Sequence, residues 1–172
     1  LLFSSLTFPL VSANQLVISE DITWSGEITL DKDVVISPGT TLQIEPGTTI
    51  DATNGHKIEV SGSMIAEGAH FFSTTIPTTQ SSHGQGLWQG IIVNSGGMAS
   101  LTDVLIENAN VGVKSYGELS ATNLTVKNAY FGIKNYATAT IHDFRTEAID
   151  YDAIMNSGSF TLTTANISNA ST

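Results

Sequence analysis

The sequence contains no cysteine, which excludes a disulfide framework and a thiolate metal site, so stability must come from packing and hydrogen bonding. It is also poor in charge. Only 13% of its 172 residues are charged, and 6 Lys and Arg stand against 16 Asp and Glu, for a formal net charge of −10. Such a surface repels a nucleic-acid backbone or an anionic membrane, and neither is an expected partner. No Gly-x-Ser-x-Gly elbow, phosphate loop or dinucleotide fingerprint occurs, and His56, His70, His83 and His142 are too scattered for the ligand spacing of zinc. No segment shows helical periodicity of useful length.

What the sequence does have is apolar material for one continuous core, 41% of the chain, together with a Ser and Thr content of about a quarter, a mixture found in β-rich extracellular proteins. The opening Leu1 to Ala13 reads as the apolar core and cleavage end of a secretory signal peptide, with Val11 and Ala13 as the small residues before the cut. It is too short to span a bilayer. The mature chain is therefore expected to begin near Asn14 and to be secreted or held at the cell surface. Because neither Met nor a basic segment precedes Leu1, the polypeptide is expected to start earlier.

An internal repeat sets the fold. Ile92-Val93-Asn94-Ser95-Gly96, Val113-Lys114-Ser115-Tyr116-Gly117, Ile133-Lys134-Asn135-Tyr136-Ala137 and Ile154-Met155-Asn156-Ser157-Gly158 align at steps of 21, 20 and 21 residues. The same frame stacks Met98, Leu119, Ala139 and Phe160, then Val104, Leu124, Phe144 and Ala165, then Ile106, Val126, Thr146 and Ile167. Corners follow at Asn108-Ala109, Asn128-Ala129, Ala148-Ile149 and Asn169-Ala170. Short alternating runs such as Leu124-Thr125-Val126 at a fixed period near 20 suit either a leucine-rich repeat or a parallel β-helix. Aliphatics of every kind occupy the repeated positions, so the expected fold is all-β, a right-handed single-stranded parallel β-helix, a solenoid of about 20–21-residue coils. Asn94, Asn135 and Asn156, with Ser115 between, are expected to form a corner ladder. Ice binding by the outward hydroxyls Ser120, Thr140 and Thr161 is disfavoured because Ala99 and His142 interrupt the columns.

The amino-terminal part is of the same kind, with Pro38-Gly39 and Pro46-Gly47 marking two successive corners, Pro fixing φ and Gly supplying positive φ. The β-helix domain is expected over 14–172, with a loop excursion at 74–86. Because its last coil, through Phe160, Leu162, Ala165 and Ile167, has no cap, the native chain is expected to continue past Thr172.

The run Trp24-Ser25-Gly26, Ile36-Ser37-Pro38-Gly39-Thr40-Thr41-Leu42-Gln43-Ile44-Glu45-Pro46-Gly47-Thr48-Thr49-Ile50, Ile58-Glu59-Val60-Ser61-Gly62-Ser63 and Trp88-Gln89-Gly90-Ile91 resembles the right-handed β-helix repeat proteins of the pectate-lyase-like superfamily. It is most similar to the large secreted and cell-surface versions from marine archaea and bacteria. That superfamily holds lyases, hydrolases, adhesins and surface proteins, so the resemblance implies the fold and leaves the function open.

A polysaccharide lyase on this fold needs carboxylates for Ca²⁺ and a basic side chain beside them, because proton abstraction next to a uronate requires its charge to be neutralised. The only such concentration is His142-Asp143-Phe144-Arg145 followed by Asp150-Tyr151-Asp152. Asp143, Arg145, Asp150 and Asp152 are thus the catalytic candidates, with Tyr130 or Tyr151 as an aromatic platform. Asp103 and Asn123 at the corresponding place in earlier coils build no acid patch, and a surface Asp143–Arg145 pair is the simpler reading. The expected function is a non-catalytic secreted or cell-surface β-helix scaffold, adhesive or glycan-binding, in contact with polysaccharide or cell-surface glycans and with further domains of the same polypeptide. A carbohydrate-active enzyme is the alternative.

Overall fold

A computed structural model describes residues 14–53, 55–74 and 88–168. They form a parallel β-solenoid of seven coils with three sides, and no helix occurs among them. The first coil is β1 (Gln15–Ile18), β2 (Ile22–Trp24) and β3 (Glu27–Thr29), and the second is β4 (Asp33–Ile36), β5 (Thr41–Ile44) and β6 (Thr49–Asp51). β7 (Lys57–Val60), β8 (Ser63–Glu67) and β9 (His70–Phe72) make the third coil, and β10 (Gly90–Val93), β11 (Met98–Thr102) and β12 (Leu105–Glu107) the fourth. In the fifth and sixth coils the second and third sides run on as one long strand: β13 (Val111–Ser115) leads to β14 (Glu118–Ala129), and β15 (Phe131–Asn135) to β16 (Thr138–Ile149). β17 (Ile154–Asn156), β18 (Ser159–Leu162) and β19 (Ala165–Ser168) complete the seventh.

The first side is a seven-stranded sheet, β1-β4-β7-β10-β13-β15-β17, and every pairing in the structure is parallel. One face of each strand points into the solenoid and the other to solvent. This is why the strands alternate in burial, as Thr41–Ile44 and Lys57–Val60 do, where a parallel sheet covered on both faces would read as an unbroken apolar run. Inside, like positions pile up at about 4.8 Å per coil: Leu124 on Phe144, and Ile106 on Val126 on Thr146, all buried. Both long-range columns through Val113 and Val126 face the core, as the repeat requires, although Ile167 in the last coil is exposed and Ile154 only half-buried.

The fourth coil departs from the sequence-derived alignment by one residue. Ile91, not Ile92, pairs with Val113, and Ala99, not Met98, pairs with Leu119; Ile91 and Ala99 are buried and Met98 is exposed. The cause is the first corner of that coil. Asn94-Ser95-Gly96-Gly97 closes a turn with the Gly97 amide donating to the Asn94 carbonyl at 2.9 Å and Gly96 at φ +82°. It therefore resembles Ser37-Pro38-Gly39-Thr40, closed by the Thr40 amide on the Ser37 carbonyl at 3.1 Å, with Gly39 at φ +77°. Each of these corners is two residues longer than the corner at Ser115-Tyr116-Gly117-Glu118, since Ile91 to Ala99 spans eight residues where Val113 to Leu119 spans six. As a result Asn94 leaves the amide ladder, which runs Val93, Ser115, Asn135, Asn156, and donates instead to the Ser61 hydroxyl at 3.0 Å. The same shift puts Ser100, not Ala99, in the outward column with Ser120, Thr140 and Thr161.

The remaining corners use left-handed backbone. Asp103, Asn123 and Asp143 have φ of 54°, 53° and 56° where the second side turns into the third; Asn108, Asn128 and Ala148 have φ of 57°, 49° and 53° where the third ends. Asn and Asp tolerate this region because their short polar side chains bond locally; Ala has no such compensation. At the turn into the first side, Gly132 lies so close to the next coil that a Cβ would stand 2.3 Å from the Ala153 carbonyl oxygen. The loop expected at 74–86 lies, from residue 75 onward, outside the described residues; Trp88, which follows, is fully buried in the interior. Its ring stacks on Phe71 at 6.1 Å and its Nε1 donates to the Glu107 carbonyl at 2.9 Å.

Two measurements check this register and these corners. Ile91→Ala should cost about 2–5 kcal/mol in denaturant melts, and Ile92→Ala less than about 1 kcal/mol. Ala148→Asn, which restores the residue type of its corner column, should raise stability by about 1 kcal/mol; a loss would show that the corner is held by something other than backbone preference.

Candidate functional site

The four catalytic candidates occupy two separate corners. Asp143 stands where the second side meets the third and is a left-handed corner residue in the column of Asp103 and Asn123. Asp150 and Asp152 lie past the far end of the third side, so the segment 144–149 separates them from Asp143 by roughly 20 Å of extended chain. Arg145 is exposed and does not meet Asp143: its Nη1 donates to the Asn123 side-chain oxygen, while Asn123 Nδ2 donates to Asp103 Oδ1 at 2.6 Å. A side-chain relay thus climbs the corner over three coils, and of the four candidates Arg145 alone takes part in it. Ca²⁺ takes six to eight oxygen ligands, and among the described residues no three His, Asp or Glu side chains group as a metal site needs. Asp143, Asp150 and Asp152 do not form such a cage.

A different arrangement lies on the outer face of the first side, over the fifth to seventh coils. Parallel pairing sets Phe131 beside Val111, Lys134 on Lys114, and Met155 on Lys134. Phe131 stacks on Tyr151 of the next coil, centroids 5.3 Å apart and planes 13° from parallel, and Lys134 Nζ lies over the Phe131 ring at 3.2 Å from its centroid. At the opposite edge of the same side Tyr116 stacks on Tyr136 at 4.9 Å and 13°, with Lys114 Nζ 5.1 Å from the Tyr116 centroid. Two aromatic stacks therefore flank two lysines, each cation placed over a ring, where the quadrupole attracts it. Of the two platform candidates, Tyr151 is 48% exposed, whereas Tyr130 is 2% exposed and packs behind Tyr151 at 5.8 Å.

Of the 6 basic residues, Lys57 and Lys127 are in ion pairs, and Lys32, Lys114, Lys134 and Arg145 are in none among the described residues. Lys57 lies 2.7 Å from Glu59, whose hydrogen bond raises its pKa, and Lys127 lies 3.2 Å from Glu147. Among the described residues, neither Lys114 nor Lys134 has a carboxylate within 4 Å. Burial pushes the Lys134 pKa down, Lys114 beside it lowers it further, and Asp152 partly offsets both. Like charges directly opposite across a ladder are destabilising, and this chain places two of its 6 basic residues in that relation. The face went unnoticed as a site in the sequence, yet its signal was there, since Lys114 and Lys134, and Tyr116 and Tyr136, recur at 20 residues within the aligned segments.

No protein-family profile, curated protein or solved structure matches the chain. No helix among the described residues is long and apolar enough to cross a membrane.

The lowered pKa of Lys134 fixes a sign. The unfolded chain holds that proton more tightly than the folded one, so the site lowers stability while charged, and stability recovers as pH rises through the lowered folded value towards the ordinary 10.5. Lys134→Met should therefore be at least as stable as the parent at neutral pH, with the difference shrinking at strongly alkaline pH. Thermal melts of both proteins across that range check it; a less stable variant at neutral pH would mean that the cation–ring contact outweighs burial and repulsion.

Proposed function

We propose that this chain is a non-catalytic β-helix scaffold of the pectate-lyase-like kind, secreted or carried at the cell surface as part of a larger polypeptide, and that it holds glycans on the outer face of its first side. The observation that carries the reading is the pair of aromatic stacks on that face, Phe131 with Tyr151 and Tyr116 with Tyr136. Flat rings held in place by neighbouring coils offer the apolar faces of sugars a prepared surface at little cost in side-chain entropy. The wide separation of Asp143 from Asp150 and Asp152, and the engagement of Arg145 with Asn123, speak for retention over turnover. The apolar signal-like segment Leu1 to Ala13 supports export.

Affinity electrophoresis of the purified chain through gels containing a panel of polysaccharides tests the reading, with reducing-end release followed in parallel with and without Ca²⁺. Retardation by at least one polysaccharide, weakened by Tyr151→Ala and unaccompanied by cleavage, is the expected result. Turnover abolished by Asp143→Ala would overturn it in favour of an enzyme, and retardation by none would remove the glycan role.

A further inference from the structure

The chain has 4 tyrosines, and each is stacked on another tyrosine one coil away. Tyr116 and Tyr136 hold successive places in one corner column, where the Tyr116 amide donates to the Val93 carbonyl at 2.7 Å and the Tyr136 amide to the Ser115 carbonyl at 2.8 Å. Their ring centroids lie 4.9 Å apart, with planes 13° from parallel. Tyr130 and Tyr151 are set one above the other in the same way, the Tyr151 amide donating to the Tyr130 carbonyl at 3.0 Å, but their rings are 5.8 Å apart and 27° from parallel, and Tyr130 is 2% exposed. Of the two pairs, the first alone opens both rings to solvent, Tyr116 being 40% exposed and Tyr136 half-buried. A phenol that loses an electron and a proton becomes a radical that couples through its ring carbons. A second phenol already in contact turns that coupling from an encounter between molecules into a step within one.

We infer that Tyr116 and Tyr136 are a site of oxidative modification, at which an oxidant of the haem-peroxidase class, driven by hydrogen peroxide, joins the two rings as a dityrosine and fastens the fifth coil to the sixth. Each phenol gives up one electron and its hydroxyl proton, and the two electrons and two protons reduce one hydrogen peroxide to two waters. The paired phenoxyl radicals then form one carbon–carbon bond between the ring positions beside their oxygens. The hydrogen on each of those carbons passes as a proton to the oxygen, which restores both aromatic rings. Two features select this pair. The ladder holds the two backbones at the spacing of one coil, about 4.8 Å, so the rings can meet by turning about their side-chain bonds while the ladder stays intact. The net charge of −10 keeps separate molecules apart, whereas the partner ring in the same molecule is already in contact. Tyr130 is sealed from an enzyme-sized oxidant, which leaves the second pair with one oxidisable ring. In a chain without cysteine, the new bond takes the part of a disulfide: it ties residues 20 positions apart and restricts the unfolded chain. It does not depend on what the outer face of the first side binds.

The test is treatment of the full chain, in dilute solution, with a plant haem peroxidase and hydrogen peroxide, followed by denaturing gel electrophoresis, tryptic mass spectrometry and thermal melts. Lys114, Lys127, Lys134 and Arg145 divide the tyrosines among separate tryptic peptides, so the joined pair is read directly. The Tyr116 and Tyr136 peptides should be recovered joined and lighter by two hydrogen atoms, from protein that still migrates as a monomer and shows dityrosine fluorescence. Tyr116→Phe and Tyr136→Phe keep the rings, remove the hydroxyls and should each abolish the monomer's fluorescence, whereas Tyr151→Phe should leave it unchanged. Circular dichroism establishes that the variants are folded. Prior unfolding in urea separates the rings and should lower the yield of the joined peptides at least about tenfold, with the peroxidase's turnover of free tyrosine matched between conditions. The joined protein should melt roughly 5–10 °C above the parent. A monomer that stays unjoined, links formed mainly between molecules, joining of the Tyr130 and Tyr151 peptides at equal yield, a yield undiminished in urea, or a joined protein that melts no higher would each overturn the inference.

Discussion

Everything in this molecule depends on the backbone ladder that joins each coil to the next in parallel register. Because the ladder pairs residue with residue, as Ile133 with Ile154 and Asn135 with Asn156, a side chain's neighbours along the axis are the residues one period away. Core, corner and surface are consequently built by columns. An aliphatic column buries its members against one another, each contributing about 1.5–3 kcal/mol, and an amide column satisfies its own polar groups: the buried Asn135 donates from Nδ2 to Oδ1 of the exposed Asn156 at 2.8 Å. A charge placed in a column meets its own kind unless the sequence alternates sign. The third side does alternate, with Glu107, Lys127 and Glu147 in one column, and on the first side Lys57 stands beside Asp33 and Glu59, whereas Lys114 and Lys134 meet each other. That contrast singles out the lysine face.

The same dependence explains what the sequence disclosed and what it withheld. From Leu105 onward the period holds at 20 or 21 residues, and the columns through Leu124, Val126 and Ile133 follow from apolar recurrence alone. At the fourth coil the alignment slips because apolar residues stand side by side at Ile91, Ile92 and Val93, so hydrophobicity cannot choose between them. Gly90, Gly112 and Gly132, which all precede the first inward residue of their strands, carry the deciding information. The left-handed corners are also legible in part, as Asn and Asp recur there, but Ala148 shows that the corner geometry persists without its usual residue.

For the candidate site the balance is different. Asp143 and Arg145 are two residues apart, and reading them as a pair ignored the left-handed turn at Asp143 and the adjacent coil, whose Asn123 takes the guanidinium. Side-chain partners in a solenoid come from the next coil as often as from the same strand, and sequence proximity says little about them. The aromatic and lysine columns, by contrast, needed only the period itself. A solenoid builds its surfaces across the coils, so like residues one period apart, and not a cluster along the chain, mark such a face.

The ladder has a mechanical consequence. Backbone hydrogen bonds between coils run along the solenoid axis, while the covalent chain winds around it, so tension applied at the two ends bears first on the bonds holding an outermost coil. Those bonds give way a coil at a time, each release paying out about twenty residues of slack before the next is loaded. A rod built this way yields in steps under a pull yet resists sideways bending, because bending would have to compress the packed interior columns on one side and stretch the ladders on the other.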